Sequence, residues 1–151
     1  MATRLKRAKD KEDIYQKLVK DDEAAPFEQL SHVFLMAACI GYMHGKKEEL
    51  ASSGEQIPWS VFSRTPDQAI VNAIAFAETN DLNILLSTDK QTDKKFEIVE
   101  QYANAGIRIL KERLLDSPGD SLDNLVNMIF EHEAKTTDGT DQISNFVDNL
   151  F

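Results

Sequence analysis

At 151 residues the chain fits one compact domain, because a single hydrophobic core usually serves about 100 to 200 residues. Its net charge of -9, from 26 acidic and 17 basic side chains, disfavours a broad electrostatic contact with nucleic acid or an anionic membrane. The single cysteine excludes an internal disulfide and a cysteine-based zinc site, and the longest apolar run, residues 33–43, is far shorter than the ~20 residues of a membrane span. We therefore expect a cytoplasmic protein.

The first ten residues form the basic end of an otherwise acidic chain. We predict that residues 1–10 are an arm outside the domain, with these cations as candidate DNA contacts: Arg4, Lys6, Arg7 and Lys9. Such an arm could bind phosphates, although charges at a chain end more often only aid solubility. A salt-dependent DNA affinity that is lost on deletion of residues 2–9 would show that the arm binds phosphates.

Two apolar patterns open a predicted helical domain, residues 11–134. Ile14, Leu18 and Val19 recur at helical spacing among charged residues, which predicts a surface helix over residues 11–22. Residues 27–43 are apolar almost all round, a pattern typical of a helix in the middle of a domain.

Residues 48–64 lose this periodicity, so we predict a loop, and it contains the only tryptophan. Trp59 and Phe62 are three residues apart and could form a ligand platform or a clasp, meaning two rings laid across the central helix. The extended entry through Pro58 favours the clasp. Arg64 could meet a partner or an anion, or form an ordinary surface ion pair. Trp59 and Arg64 are therefore candidate partner-binding residues.

Further helices complete the predicted domain. Thr65, Pro66 and Gln68 form a capping box that starts a helix ending near Glu78. We predict a short helix over residues 82–86, a polar turn over 89–95 and a long helix over 96–114. A Ser-Pro-Gly turn then precedes a helix whose apolar face holds Leu122, Leu125, Val126, Ile129 and Phe130. The predicted fold is all-α, with five or six helices around the helix at 27–43.

Residues 135–151 are predicted to be a polar linker and a terminal amphipathic segment. The apolar side chains of this segment are candidate partner-binding residues: Ile143, Phe146, Val147, Leu150 and Phe151. As a helix, the segment could occupy a groove of a partner protein or pack back on the core of its own domain.

The sequence contains no recognisable catalytic or metal-binding motif. Asp89, Asp93, Glu97 and Glu100 occupy positions 1, 5, 9 and 12 of a possible calcium loop. Lys94 replaces the glycine that such a loop requires, so an acidic helix start explains these residues better. The histidines lack ligand spacing, and nucleotide-binding and nucleophile motifs are missing. We predict that the protein is not an enzyme and uses no metal or cofactor.

Five segments, taken in order, resemble one bacterial family. They are KEDIYQK (11–17), the apolar run 27–42, GEQIPWSVF (54–62), AFAETNDLNILL (75–86) and YANAGIRILKERLLDSPGD (102–120). They span about residues 10–131 and resemble the DNA phosphorothioation-associated (Dnd system-associated) protein 4 family. The resemblance implies a cytoplasmic accessory protein of systems that replace a non-bridging phosphate oxygen of DNA by sulfur, or that restrict DNA lacking this mark. It transfers no catalytic residue.

We therefore expect a non-catalytic interaction subunit of a phosphorothioation-linked modification or restriction system for phage defence. Its partners would be other protein subunits of that system, with weak direct DNA contact at most. Two alternatives remain. One is a regulator that faces nucleic acid through the basic arm or as an acidic DNA mimic, which gel shifts across a salt series would test. The other is an enzyme with an unfamiliar site near Trp59 and Arg64, which a deep polar pocket there would favour.

Overall fold

The structure of the chain is a computed structural model that describes residues 4–19, 25–62 and 66–134. Within these residues, five α-helices and a two-stranded sheet enclose one core. In chain order the elements are β1 (Arg4–Ala8), α1 (Glu12–Val19), α2 (Leu30–Met43), β2 (Ser53–Pro58), α3 (Asp67–Thr79), α4 (Asp89–Leu110) and α5 (residues 121–134). The predicted single helical domain of five or six helices is confirmed, and the structure adds the small sheet that an all-α fold would lack. None of the described helices is both long and apolar enough to cross a membrane.

Helices α2 and α4 form the centre of the domain, and their backbones touch. A Cβ atom added to Gly106 would lie 1.7 Å from the carbonyl oxygen of Ala37, and one added to Gly41 would lie 2.1 Å from that of Tyr102. Only glycine fits at both positions, because real Cβ contacts at these distances do not occur. The predicted central helix is confirmed, and small residues make its tightest contact.

α2 begins at Leu30, three residues after the predicted start. The amide N–H of Phe27 donates to the carbonyl oxygen of Leu18 at 3.2 Å, so the incoming chain is tied to the end of α1. Gln29 is extended, with φ -136° and ψ 148°. Because Phe27 is held by this hydrogen bond and Gln29 is extended, the helix starts only at Leu30.

The sheet joins two segments that showed no strand pattern. β1 and β2 are antiparallel, with Leu5 opposite Ile57 and Lys6 opposite Gln56. Leu5 and Ile57 are buried in the core, while Lys6 and Gln56 are exposed. From Arg4 onward, the predicted basic arm is thus a strand of the folded domain, and the predicted loop at 48–64 contains its partner. With one large apolar residue in each strand, the sequence has no alternation to reveal them.

α4 begins at Asp89 and therefore includes the residues 89–95 that were predicted as a turn. The Thr88 hydroxyl oxygen accepts from the amide N–H of Gln91 at 3.4 Å and caps the helix. The acidic positions of the calcium-like pattern thus lie on a regular helix, as the helix-start interpretation required. The apolar repeat from Phe96 marks only the part of α4 that crosses the core.

α3 runs from Asp67, and its predicted cap, Thr65, lies outside the described residues. The helix ends at Asn80, which is left-handed with φ 51°, and whose amide N–H donates to Phe76 O at 2.7 Å. A 3₁₀ turn, Leu82–Leu85, follows and agrees with the predicted short helix.

Candidate interaction surface

α5 follows a tight turn and docks through a narrow face. α4 widens at Lys111–Leu115 into a π-helical turn, and Gly119, with φ 96°, then redirects the chain. The Asp120 carboxylate accepts the amide N–H of Leu122 at 2.8 Å and starts α5. Among the apolar residues of α5, Leu125 and Met128 are buried, and both belong to the core.

The other large apolar side chains of α5 face solvent. Leu122, Val126, Ile129 and Phe130 are 40%, 41%, 42% and 62% exposed, and we call these four residues the α5 stripe. Their spacing places them on one face of the helix, because a residue recurs on the same face after three or four positions. The stripe thus lies beside the docked face as an exposed apolar ridge.

Sequence reasoning grouped the stripe with Leu125 as one apolar face, and the structure corrects this grouping. α5 is apolar over two adjacent faces, of which the face with Leu125 and Met128 is buried. The sequence feature that indicates the second apolar face is Met128. It lies three residues after Leu125, so the apolar arc of the helix is too wide for a single contact to cover.

Acidic side chains border the α5 stripe. Asp123 and Glu133 are exposed, and 3.6 residues per turn place both on the stripe side of the helix. The sequence has no lysine or arginine between Arg113 and Lys135. Arg113 itself pairs with Glu131, with 2.6 Å between Nη2 and Oε2. The surface is therefore an apolar ridge with a negative border.

Trp59 packs between elements and is half-buried. Its ring centroid lies 5.0 Å from that of Phe96 in α4 and 5.7 Å from that of Phe62. The Phe62 ring in turn lies 6.0 Å from that of Phe34 in α2. Phe62 thus lies against α2 as the predicted clasp requires, whereas Trp59 lies against α4 and not across the central helix. A partner-binding role of Trp59 stays a prediction. The other predicted partner-binding residues lie outside the described residues: Arg64, Ile143, Phe146, Val147, Leu150 and Phe151.

Arg7, one of the four candidate DNA contacts, points into the domain. It is 3% exposed, its Nη1 lies 3.0 Å from Glu12 Oε1, and its guanidinium lies 5.3 Å from the ring centroid of Tyr15. A buried and paired cation cannot reach a phosphate without breaking this contact. Arg7 therefore fastens β1 to α1.

The other candidate cations are Arg4 and Lys6, exposed on β1, and Lys9, exposed in the turn that follows. Arg4 and Lys6 line a cleft of about 830 Å³ between the sheet and α4. Four carboxylate side chains share this cleft: Glu49, Asp93, Glu97 and Glu100. The cleft thus has mixed charge and is not a basic groove.

Glu100 links α4 to β1 at the wall of this cleft. Its Oε2 accepts the backbone N–H of Lys6 at 2.6 Å, so the outer edge of β1 is held by α4. Burial raises the pKa of Glu100 to about 7, and the Lys6 amide opposes part of this rise.

A polar cluster with a buried centre, Lys11 and Asn104, fastens the chain around α4. Lys11 is 3% exposed, and its Nζ lies 2.7 Å from Asn104 Oδ1 and 3.3 Å from Glu48 Oε1. Arg108 binds the same carboxylate, with 2.6 Å between Nε and Oε2, and this bond lowers the pKa of Glu48. Asn104 also donates to the carbonyl oxygens of Glu48 and Glu49. The cluster therefore acts as a structural anchor.

Other reactive groups are also part of the packing. Cys39 is partly buried, and burial raises the pKa of its thiol, which weakens it as a nucleophile. The Tyr102 hydroxyl donates to Glu78, which also pairs with Lys47. In residues 4–19, 25–62 and 66–134, no three His, Cys, Asp or Glu side chains lie where they could share a metal ion.

No curated protein and no solved structure matches the chain. A family model does match residues 4–146, and its description is DNA sulphur modification system-associated protein 4. The chain belongs to this family. The resemblance found in the sequence is confirmed.

The DNA sulphur modification system-associated protein 4 match takes in every described element, from β1 to α5. The α5 stripe is therefore part of the family domain. The description states an association with a DNA sulphur modification system and names no reaction.

Proposed function

We propose that this protein is a non-catalytic accessory subunit that joins other proteins of a bacterial DNA phosphorothioation-linked modification or restriction system, in the cytoplasm and in defence against phage. The family description supports the link to such a system. The α5 stripe carries the interaction part of the proposal, because it is an exposed apolar ridge on a helix of the domain.

The energetics favour a partner on the stripe. Fully burying a side chain of the Val, Leu, Ile or Phe type stabilises a contact by about 1.5–3 kcal/mol. Four such side chains stand together on α5, and contiguous apolar patches of this kind are typical of protein interaction sites. A partner that covers the stripe would therefore gain several kcal/mol before the costs of association.

Direct DNA binding has less support among the described residues. Arg7 is buried in an ion pair, and Arg4 and Lys6 share their cleft with four carboxylates. A DNA backbone would meet these carboxylates together with the cations. The proposal therefore assigns DNA contact to the partner subunits.

Co-purification from the native host tests the proposal. Tagged wild-type protein should bring down named subunits of the sulphur modification or restriction system, identified by mass spectrometry. Val126→Asp places a charge in the middle of the stripe, and we expect it to lower that recovery about 30-fold or more.

Leu82→Asp is the matched control, because Leu82 is 69% exposed but lies in the turn before α4. It should co-purify like the wild type. The proposal fails if the wild type recovers none of these subunits, or if Val126→Asp recovers them unchanged.

A further inference from the structure

We infer that a cleft between β2 and the start of α2 binds the carboxyl-terminal end of a partner protein, as an extended segment whose last residue is large and apolar. The cleft lies between residues 56–58 of β2 and residues 29–31 at the start of α2, and we call it the β2 cleft. None of its described lining residues belongs to the α5 stripe, so the site goes beyond the proposed function.

β2 presents an open strand edge beside the β2 cleft. The amide N–H of Lys6 donates to Glu100 and therefore points away from β2, so Lys6 and Gln56 form a non-hydrogen-bonded pair of the antiparallel ladder. The N–H and C=O of Gln56 consequently point away from β1. Pro58, two residues further on, has the same orientation, and its missing N–H costs the ladder nothing. The sheet of the described residues has only these two strands, so an extended peptide can pair with Gln56.

The length of this edge favours the end of a chain over a long strand. An irregular register between Lys6 and Ala8 interrupts the ladder, and Pro58 lacks a donor. Such features protect an edge from pairing with long strands, including the β2 of a second copy. Two or three residues at the end of a partner chain can still pair with what remains.

The start of α2 provides donors for a carboxylate. The first N–H groups of an α-helix have no partner within the helix, and the side chain of Gln29 does not cap those of α2. Leu30 and Ser31, the first two residues of α2, line the β2 cleft, and Ser31 is 2% exposed. The positive end of the helix dipole also favours an anion here.

Arg7 is a second and independent donor in the β2 cleft. It is 3% exposed and lines the cleft, and its buried Nε has no hydrogen-bond partner although its Nη1 binds Glu12. A buried donor without an acceptor is costly, so a ligand oxygen that meets it gains affinity. Glu12 and the exposed Glu28, which also lines the cleft, oppose a ligand with several negative charges. A single carboxylate therefore fits better than a phosphate group, which carries up to about two charges.

The remaining walls of the β2 cleft are apolar: Val19, Ile57, Pro58 and Val61. Ile57 is buried and Val61 is 43% exposed, so the apolar surface extends from the floor of the cleft to its mouth. The volume is about 410 Å³. Ligand pockets range from about 300 to 1,000 Å³, so this one suits the last one or two residues of a chain. The walls select an apolar side chain beside the carboxylate.

A synthetic peptide library tests the site with the full-length protein. The library consists of random peptides of about eight residues with a free carboxylate, and bound peptides are identified by mass spectrometry. We expect enrichment of leucine, isoleucine, valine or phenylalanine at the last position. Each enriched peptide is then measured by fluorescence anisotropy as the acid and as the carboxamide, and the acid should bind at least about tenfold more tightly. No enrichment, or equal binding of the two forms, would overturn the inference.

Methylation of single backbone nitrogens in an enriched peptide tests the strand pairing. Only alternate N–H groups of a strand face its neighbour, so the loss of affinity should recur at every second residue. A peptide bound as a helix, or held by its carboxylate alone, would not show this period. A scan without it would reject an extended ligand on β2.

Variants of the protein place the peptide in the β2 cleft. Val61→Asp puts a charge on its wall and should remove binding, whereas Leu82→Asp adds the same charge at an exposed position outside the cleft and should not. Arg7→Gln should reduce the preference for acid over carboxamide at least about threefold, a ratio that does not depend on how much of the variant is folded. Wild-type binding by Val61→Asp, or an unchanged ratio in Arg7→Gln, would show that the inference is wrong.

A dimer in sedimentation that Val61→Asp dissociates would also overturn the inference, in favour of a second copy. The outcome is separable from that of the proposed function, because Val126→Asp should leave peptide binding unchanged. Recovery of system subunits that depends on Val126, with no enriched peptide, would leave the proposed function standing and reject only the site in the β2 cleft.

Discussion

α4 and α5 are consecutive helices joined by one tight turn, yet they meet the domain in different ways. α4 has buried side chains on every turn from Thr92 to Leu110, and its backbone touches α2 at Gly106. α5 contributes Leu125 and Met128 to the core and leaves four large apolar side chains exposed. Both helices have amphipathic sequences, but α4 buries its apolar side chains in the core, whereas α5 leaves part of its apolar surface exposed.

This difference separates two consequences of substitution. Changes at the contacts of α4 should lower the free energy of unfolding, because those contacts hold the sheet, α1 and α2 in place. Changes on the stripe of α5 should alter binding and leave folding nearly intact.

Gly106→Ala should have the largest effect. Helix propensity alone favours alanine by about 1 kcal/mol, but the new methyl would lie 1.7 Å from Ala37 O, so α2 and α4 must separate. We expect a net loss of more than about 3 kcal/mol in the free energy of unfolding, measured by urea denaturation.

Gly45→Ala is its control. An added Cβ at Gly45 meets nothing within 4 Å, and only the positive φ of 63° opposes it, at about 1 kcal/mol. If Gly106→Ala were no worse than Gly45→Ala, the close contact of α2 and α4 would not exist as described.

Lys11→Met tests the polar anchor on α4. Methionine fills the same space but leaves Asn104 Oδ1 without its 2.7 Å donor, while Glu48 keeps Arg108. We expect a loss of about 2–3 kcal/mol in urea denaturation. Lys17→Met removes the same charge from an exposed position on α1 and should stay within about 0.5 kcal/mol of the wild type. Equal losses would show that the anchor adds no stability.

Much of the helical architecture follows from the sequence, because helix periodicity records burial directly. Residues 27–43 lacked a polar face, and α2 is indeed surrounded by other elements. The contact of Gly41 with Gly106 was not predictable, since a glycine in a helix pattern does not reveal which backbone approaches it.

The strands and the interaction surface left weaker signals. β1 and β2 bury one large apolar residue each, so their pairing depends on tertiary contacts that local sequence does not encode. In α5 the pattern predicted an apolar helix but not which part of its apolar arc would be covered. That choice depends on the turn at Gly119 and on the shape of the core, not on periodicity.

Glu100→Gln should change the pH dependence of stability. The folded pKa is raised to about 7 from an ordinary 4.5, so between these values the folded protein keeps a proton that the unfolded chain has lost. Stability from this group therefore falls as pH rises from about 4.5 to about 7. Glutamine cannot ionise and still offers an oxygen to the Lys6 amide.

We expect Glu100→Gln to be more stable than the wild type by about 1 kcal/mol above pH 7, after allowance for solvent screening, with the gain vanishing towards pH 4.5. Urea midpoints across this range measure the difference. Glu55→Gln, on the exposed face of β2, should show no such trend. A gain from Glu100→Gln that is constant with pH would reject the ionisation account.

Leu122→Ala should have the smallest effect, and Leu125→Ala is its partner on the same helix. Leu122 is 40% exposed and Leu125 is 7% exposed, so identical chemistry probes the two faces of α5. We expect Leu125→Ala to cost about 2–3 kcal/mol and Leu122→Ala less than about 1 kcal/mol, measured by urea denaturation of the full chain. A similar cost at both positions would mean that another part of the chain already covers the stripe, and a partner protein could then bind only by displacing it.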